Sequence, residues 1–431
     1  MKAGSTSIRR QVQLCMGKVG LPVGSLVYVK QGQRENTAVA YDESWLGSPQ
    51  RFNVSNDLQL VPGYQPHKAA SPQDSVFHGA IADTAPDAWG RRIIARDHAK
   101  RRRKEPHLSA LTEMDYLLAV DDFSRVGALR LCDPDRHWHR TLQEGRRSTP
   151  PLIDLERIFH ASRAVELGQE TIEDLSYLQG KGTSLGGMRP KCTMVDEDGR
   201  LAIGKFPSVG DARSVTQGEV LALKLAAKAG IDAASARLVC LDAVSIAVIR
   251  RFDRDDTDGR IPYQSAVSLL LAARAQDHSY TEMADAIRSY GHSPSQDIQQ
   301  LWRRLVFNLL ITNVDDHLHN HGFLHVEKGL WRLAPAFDLN PFPDKDRESK
   351  TWLSEEDGPI TDISMLLDRA DYFALSAEQA LAVLAEVHAA VLDWRQLALS
   401  KDVGLREEDL DDFAPAFEHE QMEAAAALLG R

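Results

Sequence analysis

The chain has 431 residues, 43% of them hydrophobic and 26% charged, which at the usual ~100 to 200 residues per domain implies two or three domains. No run of about 18 apolar residues is present, so no membrane-spanning helix is expected, and the basic, polar start lacks the apolar stretch of a secretory signal. The net charge of −11, from 51 Lys plus Arg against 62 Asp plus Glu, argues against a surface that coats nucleic acid. The scattered Cys15, Cys132, Cys192 and Cys240 form no CxxC pair, which fits reduced thiols in a cytoplasm and argues against a thiolate zinc site.

Residues 1–24 are read as a tail. The stretch SLVYVKQGQRENTAVAYDESWL has β-branched and aromatic residues around a turn-like QGQREN, predicting a hairpin. Helical stretches follow near Asp87–Lys100 and Met114–Val120, so residues 25–145 read as a mixed α/β domain. The basic run KRRRK, Lys100 to Lys104, is read as a solvated helix face, with contact to phosphates or an acidic partner as the alternative. EGRRSTPP, Glu144 to Pro151, has the composition of a linker.

IDLERIFHASRAVEL then has helical spacing. LQGKGTSLGGMRPK is glycine-rich and basic, and the segment behind it, CTMV, DEDG and LAIGKF, has a hairpin signature. A helix ending at Gly230 comes next, followed by two strands, ARLVCLD and VSIAVIRRF. In DIQQLWRRLVFNLLITN the apolar residues Leu301, Trp302, Leu305, Val306, Leu309 and Leu310 mark a buried helix stripe. That helix leads into NVDDHLHNHGFL, and a hairpin expected to end at Asp338 follows before the helical remainder.

NVDDHLHNHGFL leaves several readings open. His317, His319 and His321 with Asp315 or Asp316 could hold zinc as in a histidine-rich metallohydrolase, although the order of residues differs from such runs. A polar loop satisfying its own backbone is the plainest reading. Phosphoryl transfer needs a carboxylate at the attacking hydroxyl, hard oxygen ligands for Mg2+ and a cation on the nucleotide phosphates. Asp315 and Asn320 are five apart, as are Asp and Asn in the kinase catalytic loop HRDxxxxN, and Asp338 follows after a hairpin. Upstream, Lys205 closes a strand behind the glycine-rich loop and Glu219 lies on the next helix, where it could pair with that lysine.

SLGGMRPK, GKFP, QGEVLALKLAAKAGI, RRFDR, NVDDHLHNHGF and PAFDLNP together resemble the HipA family, kinase toxins of bacterial type II toxin-antitoxin systems. The resemblance extends to DTAPDAWGRRII and YLLAVDDFSRVGALRL and covers roughly Leu26 to Trp394. It implies an α+β, protein-kinase-like bilobal fold with a mixed α/β N-terminal subdomain and an all-helical C-terminal lobe. The corresponding segments are 1–24, 25–145, 146–258 and 259–431.

The resemblance also implies roles. Asp315 would be the catalytic aspartate, Asn320 and Asp338 would bind Mg2+, and Lys205, held by Glu219, would contact the phosphates of ATP. Ser184, Gly186 and Gly187 would belong to the nucleotide loop. Arg250 and Phe252 would belong to the adenine hinge, Asp253 would lie near the ribose, and His317 would shape the catalytic loop. Ser184 matches a serine autophosphorylated in some members, with Thr183 its neighbour, and a phosphate there would lie beside Arg189 and Lys191. His319 stands where the family usually has Lys, and Arg250 where some members have an acidic residue. The implied partners are a protein substrate, with an aminoacyl-tRNA synthetase as the leading expectation, and a small helix-turn-helix antitoxin of the HipB type that carries the DNA contact. A co-repressor with a vestigial kinase site is the alternative.

Overall fold

The computed structural model describes residues 7–69, 71–139, 155–179, 187–241 and 244–430. The predicted linker at 144–151 lies outside them. The chain forms two compact units that alternate along the sequence: one takes residues Met1–Ile203, Asp253–Ala275 and Glu327–Gly329, the other Gly204–Phe252, Gln276–Val326 and Leu330–Arg431.

The first unit is built on a five-stranded antiparallel sheet ordered β4-β3-β2-β1-β5, with β1 Ser7–Met16, β2 Leu21–Gln31, β3 Arg34–Tyr41, β4 Gln65–His67 and β5 Leu129–Cys132. The predicted hairpin is β2–β3, closed by two residues with Gly32 at φ 61°, a conformation glycine adopts without a Cβ clash. The expected tail is a correction. Residues 7–16 form β1, paired along its length with β2 and at its end with β5. Val12, Leu14 and Met16 alternate into the core, a period-2 signal that the flanking Arg9, Arg10, Gln11 and Gln13 obscure.

The helix Ala88–Lys104 starts at Asp87, whose carboxylate accepts the Gly90 N–H at 2.7 Å, a normal N-cap. Its last turn holds Arg101, Arg102, Arg103 and Lys104, all exposed, where cations complement the helix C-terminus. The segment 253–275 completes this unit. Arg254 reaches the carbonyls of Gly127 and Arg125, Arg260 bonds Asp122, and Ser265 bonds the Asp83 carboxylate through both N–H and Oγ at 2.7 Å.

The second unit is mainly helical. The helix Val215–Lys228 packs on the hairpin of the strands Ala236–Leu241 and Val244–Arg250, which pair in register from Ala236 opposite Ile249 to Leu241 opposite Val244. The helix Pro294–Leu310 opens with proline in its first turn, where the missing N–H costs nothing. It buries the whole predicted stripe, and Trp302 donates its indole N–H to the Leu366 carbonyl at 3.0 Å. Two short hairpins interrupt the helices, Gly322–Glu327 with Leu330–Leu333 and Trp352–Ser354 with Gly358–Pro359. The strand expected to run to Asp338 ends at Leu333, because Pro335 cannot donate to a ladder.

Candidate active site

Lys205 is the last residue of the strand Leu201–Lys205. Its Nζ donates to Glu219 Oε1 at 2.6 Å and to Asp338 Oδ1 at 2.6 Å. The Lys205 and Glu219 side chains are 12% and 4% exposed and that of Asp338 is 26% exposed. Burial would lower the ammonium pKa, but Asp338 and Glu219 outweigh it and hold the group above the ordinary lysine range. Removing one partner of such a buried pair typically costs ~3 to 5 kcal/mol. Two carboxylates on one ammonium also leave a net negative charge, which a divalent cation can satisfy.

Asp338 has a left-handed backbone, φ 57°, which aspartate tolerates better than most residues and which concentrates at functional sites. Its loop is tied to the end of the helix Pro294–Leu310: the Asn340 N–H donates to Asn313 Oδ1 at 3.2 Å and the Phe342 N–H to the Thr312 carbonyl at 3.1 Å.

From that helix end the chain enters the loop bearing Asp315, which is exposed, and Asp316, which is buried. The two neighbours therefore have different tasks. Asp316 Oδ2 accepts from Tyr280 Oη at 2.6 Å, Asn308 Nδ2 at 2.8 Å and His321 Nε2 at 2.9 Å. Burial acts to raise its pKa, yet His321 and the hydrogen bonds prevail and lower it. Asp316 thus anchors the loop and leaves Asp315 facing outward. Asn320 Nδ2 donates to the Asp315 carbonyl at 3.1 Å, so its Oδ1 is the atom suited to a cation.

A third segment reaches the loop. Lys350 Nζ lies 3.0 Å from Asp315 Oδ1, the Lys350 N–H donates to the Val314 carbonyl at 3.2 Å and Thr351 Oγ1 to the Asp316 carbonyl at 2.8 Å. Sequence reasoning missed Lys350, which has no motif spacing to Asp315. It also missed Tyr280 and Asn308, although Asn308 left a signal as a buried polar residue within an apolar helix stripe.

The other predicted residues fall as follows. Thr183, Ser184 and Gly186 lie outside the described residues. Gly187, at φ 90°, accepts the Trp89 N–H at 3.4 Å. Lys191, expected beside a loop phosphate, is buried with its Nζ 3.3 Å from Asp87, so of that pair Arg189 is the more accessible cation. The Arg250 N–H donates to the Ser235 carbonyl at 2.8 Å and the Phe252 ring lies 5.4 Å from that of Phe337. Asp253 belongs to the first unit and is 2% exposed; its Oδ2 takes the Gly127 N–H at 2.7 Å and Arg254 at 2.8 Å. That buried pairing ties Asp253, expected near the ribose, to the Gly127 backbone. His317 precedes the short turn Leu318–Asn320 and stands edge-on to His319 at 6.0 Å between ring centroids. Among the described residues, His317, His319 and His321 do not converge their nitrogens into a metal-binding group, because Asp316 holds His321 inward.

A family model described as the HipA-like C-terminal domain matches residues 183–394. Y4mE of Sinorhizobium fredii NGR234, a candidate kinase by its name, is 27% identical over 180 residues, 37% of this chain and 43% of that protein. A candidate kinase of Haemophilus influenzae is 23% identical over 188 residues, 38% of this chain and 55% of the relative. The chain thus matches about half of these relatives' length. A chain of the solved complex of HipA, HipB and operator DNA from Shewanella oneidensis MR-1 superposes with a TM-score of 0.66 at 15% identity, covering 97% of both chains. The fold is therefore that of HipA, a kinase-like α+β fold.

Proposed function

We propose that the chain, whose residues 183–394 match the HipA-like C-terminal domain, is an ATP- and Mg2+-dependent protein serine/threonine kinase acting as the toxin of a HipA-type toxin-antitoxin system. The observation that carries this reading is Lys205 held between Glu219 and Asp338 at 2.6 Å each. A lysine paired to a helix glutamate, beside a metal-binding aspartate, is the arrangement protein kinases use on nucleotide phosphates. The donor set fits magnesium: Asn320 and Asp338 offer hard oxygens, and the carboxylates around Lys205 exceed its charge.

In this mechanism Lys205 binds the nucleotide phosphates and Glu219 fixes its position. Asn320 and Asp338 hold Mg2+, which supplies neutralisation of the phosphate oxygens when bound. Asp315 orients the acceptor serine or threonine hydroxyl and accepts its proton as the new phosphorus–oxygen bond forms and the bond from the γ-phosphorus to the β,γ-bridging oxygen breaks, releasing ADP. Gly186 and Gly187 belong to the loop over the nucleotide, and Ser184 or Thr183 is its autophosphorylation site. The adenine hinge uses the backbone near Arg250 and Phe252.

The protein substrate is a component of translation, an aminoacyl-tRNA synthetase foremost, and a small helix-turn-helix antitoxin of the HipB type binds the chain and carries the operator contact. As part of this proposal the protein works in the cytoplasm, which its free cysteines fit. No described helix is long and apolar enough to cross a membrane.

The test is a phosphoproteomic comparison of cells making wild-type or Asp315→Ala protein, paired with γ-labelled ATP transfer in vitro. Loss of the aspartate should lower transfer by ~10^3-fold or more and remove the target phosphosites. Growth arrest and operator binding that persist unchanged, with no Asp315-dependent phosphosite, would establish the co-repressor instead.

A further inference from the structure

We infer that the first unit carries a divalent cation site of the zinc class, formed by Asp57, His67 and His78 and separate from the phosphoryl-transfer residues. The three residues come from different local elements. Asp57 lies in the turn bridged by Ser55 and Leu58, His67 ends the strand Gln65–His67, and His78 precedes the helical turn Gly79–Ala82. One donor atom from each lies within 4.8 Å of those of the other two.

The hydrogen bonds around His67 carry the argument. Its Nε2 lies 3.1 Å from the Ser75 carbonyl oxygen and its Nδ1 lies 3.1 Å from Asp57 Oδ2. A carbonyl can only accept, so the ring proton sits on Nε2. In a neutral ring Nδ1 then turns a lone pair toward a carboxylate oxygen, an arrangement that needs a positive charge between the two atoms. An imidazole that ligates through one nitrogen while donating its other N–H to a backbone carbonyl is the usual arrangement at metal centres. Two donors on one tetrahedral zinc are separated by about 3.4 Å, from bond lengths of 2.0–2.2 Å, close to the distance found here.

His78 supplies the second, independent observation. It is 1% exposed, and its buried Nδ1 has no hydrogen-bond partner, a state that costs free energy unless something fills it. Its ring lies 5.0 Å from that of His67. Asp57 is prepared in the same way: Oδ1 accepts from Ser55 Oγ at 2.5 Å and from the Gly79 N–H at 3.4 Å, which orients Oδ2 toward the imidazoles. Two imidazoles and one carboxylate suit Zn2+ and leave its fourth position for water. The ion would clip together three segments spaced ten and eleven residues apart.

The test uses the full chain, stripped with chelator and held in excess Mg2+ so that hard-oxygen sites are filled. Titration with Co2+ should give the visible absorption of a tetrahedral centre at one ion per chain, bleached by Zn2+, and Zn2+ should raise the melting temperature. Asp57→Asn and His67→Gln, each folded by circular dichroism, should weaken Co2+ binding at least ~100-fold, above the effect of outer-sphere partners. Asp315→Ala should leave it unchanged, as should His137→Ala, which removes the histidine of a second, more exposed group formed with Asp133 and Asp135. The inference is overturned if stripped wild-type protein takes up no Co2+ or Zn2+, in which case a proton alone joins His67 to Asp57. It is also overturned if either folded variant keeps wild-type affinity.

Discussion

Lys350 answers a question raised by His319. The HipA family that these motifs resemble usually has a lysine just before the motif asparagine; His319 stands there in this chain, and a cation reaches Asp315 from 35 residues downstream at 3.0 Å. Both side chains are more than half exposed, so the pair adds little stability; under the proposed kinase function its value lies in holding the carboxylate where an acceptor hydroxyl would arrive. Lys350→Ala should lower kcat for phosphoryl transfer about tenfold with little change in KM for ATP, and Lys350→Arg should restore much of it, since guanidinium keeps the charge. A different residue sets an acid limit on stability. His419 Nε2 faces the Leu310 carbonyl at 3.2 Å and its Nδ1 accepts the Gln421 N–H at 3.3 Å, which fixes a neutral ring. Burial lowers its pKa to about 4. The unfolded chain, with an ordinary histidine near 6.5, takes up the proton first, so this contribution is full above pH ~6.5 and is lost as pH falls toward 4. Urea midpoints measured across that interval should fall, and His419→Asn should flatten part of the slope.

The helix Val215–Lys228 shows how an element carries the site. Its pattern was readable because ten of its fourteen residues are buried in an apolar run ended by Gly230, and Glu219 was placed toward Lys205 by the order of elements alone. The close contact at Gly218 was not readable. A Cβ there would lie 2.8 Å from Phe413 Cε1, and Phe413 is itself buried, so the ring has little room to yield. Gly218→Ala should cost ~1 to 3 kcal/mol by overpacking and, by shifting Glu219, should weaken ATP binding measured by calorimetry. The strand β1 and the Lys350 segment escaped the sequence for the opposite reason. One mixes charge into an alternating pattern, and the other is exposed with no period at all, so neither leaves the repeat by which helices and strands are recognised.

At the scale of the molecule, the motifs were legible in chain order, but the division of the fold was not. The four-segment reading follows motifs, whereas compactness assigns residues 253–275 to the first unit. Nothing in RRFDRDDTDGR announces that its charges answer Asp122 and the Gly127 backbone far upstream. A fragment of residues 7–203 therefore lacks Ser265, the partner of Asp83, and keeps only Arg130 of the two arginines that meet Asp122. It should show weak protection in hydrogen exchange, and supplying a 253–275 peptide should restore protection around Asp83 and Gly127. The same weave orders events during synthesis. A ribosome that has made residues 1–203 has released a sheet whose Asp83 carboxylate still lacks Ser265, and Asp338 emerges later still than the segment 253–275 of that unit. Growing chains cannot bring Lys205, Glu219 and Asp338 together until most of the polypeptide exists, so a stalled or truncated translation product should be inert toward nucleotide even where its first unit is whole.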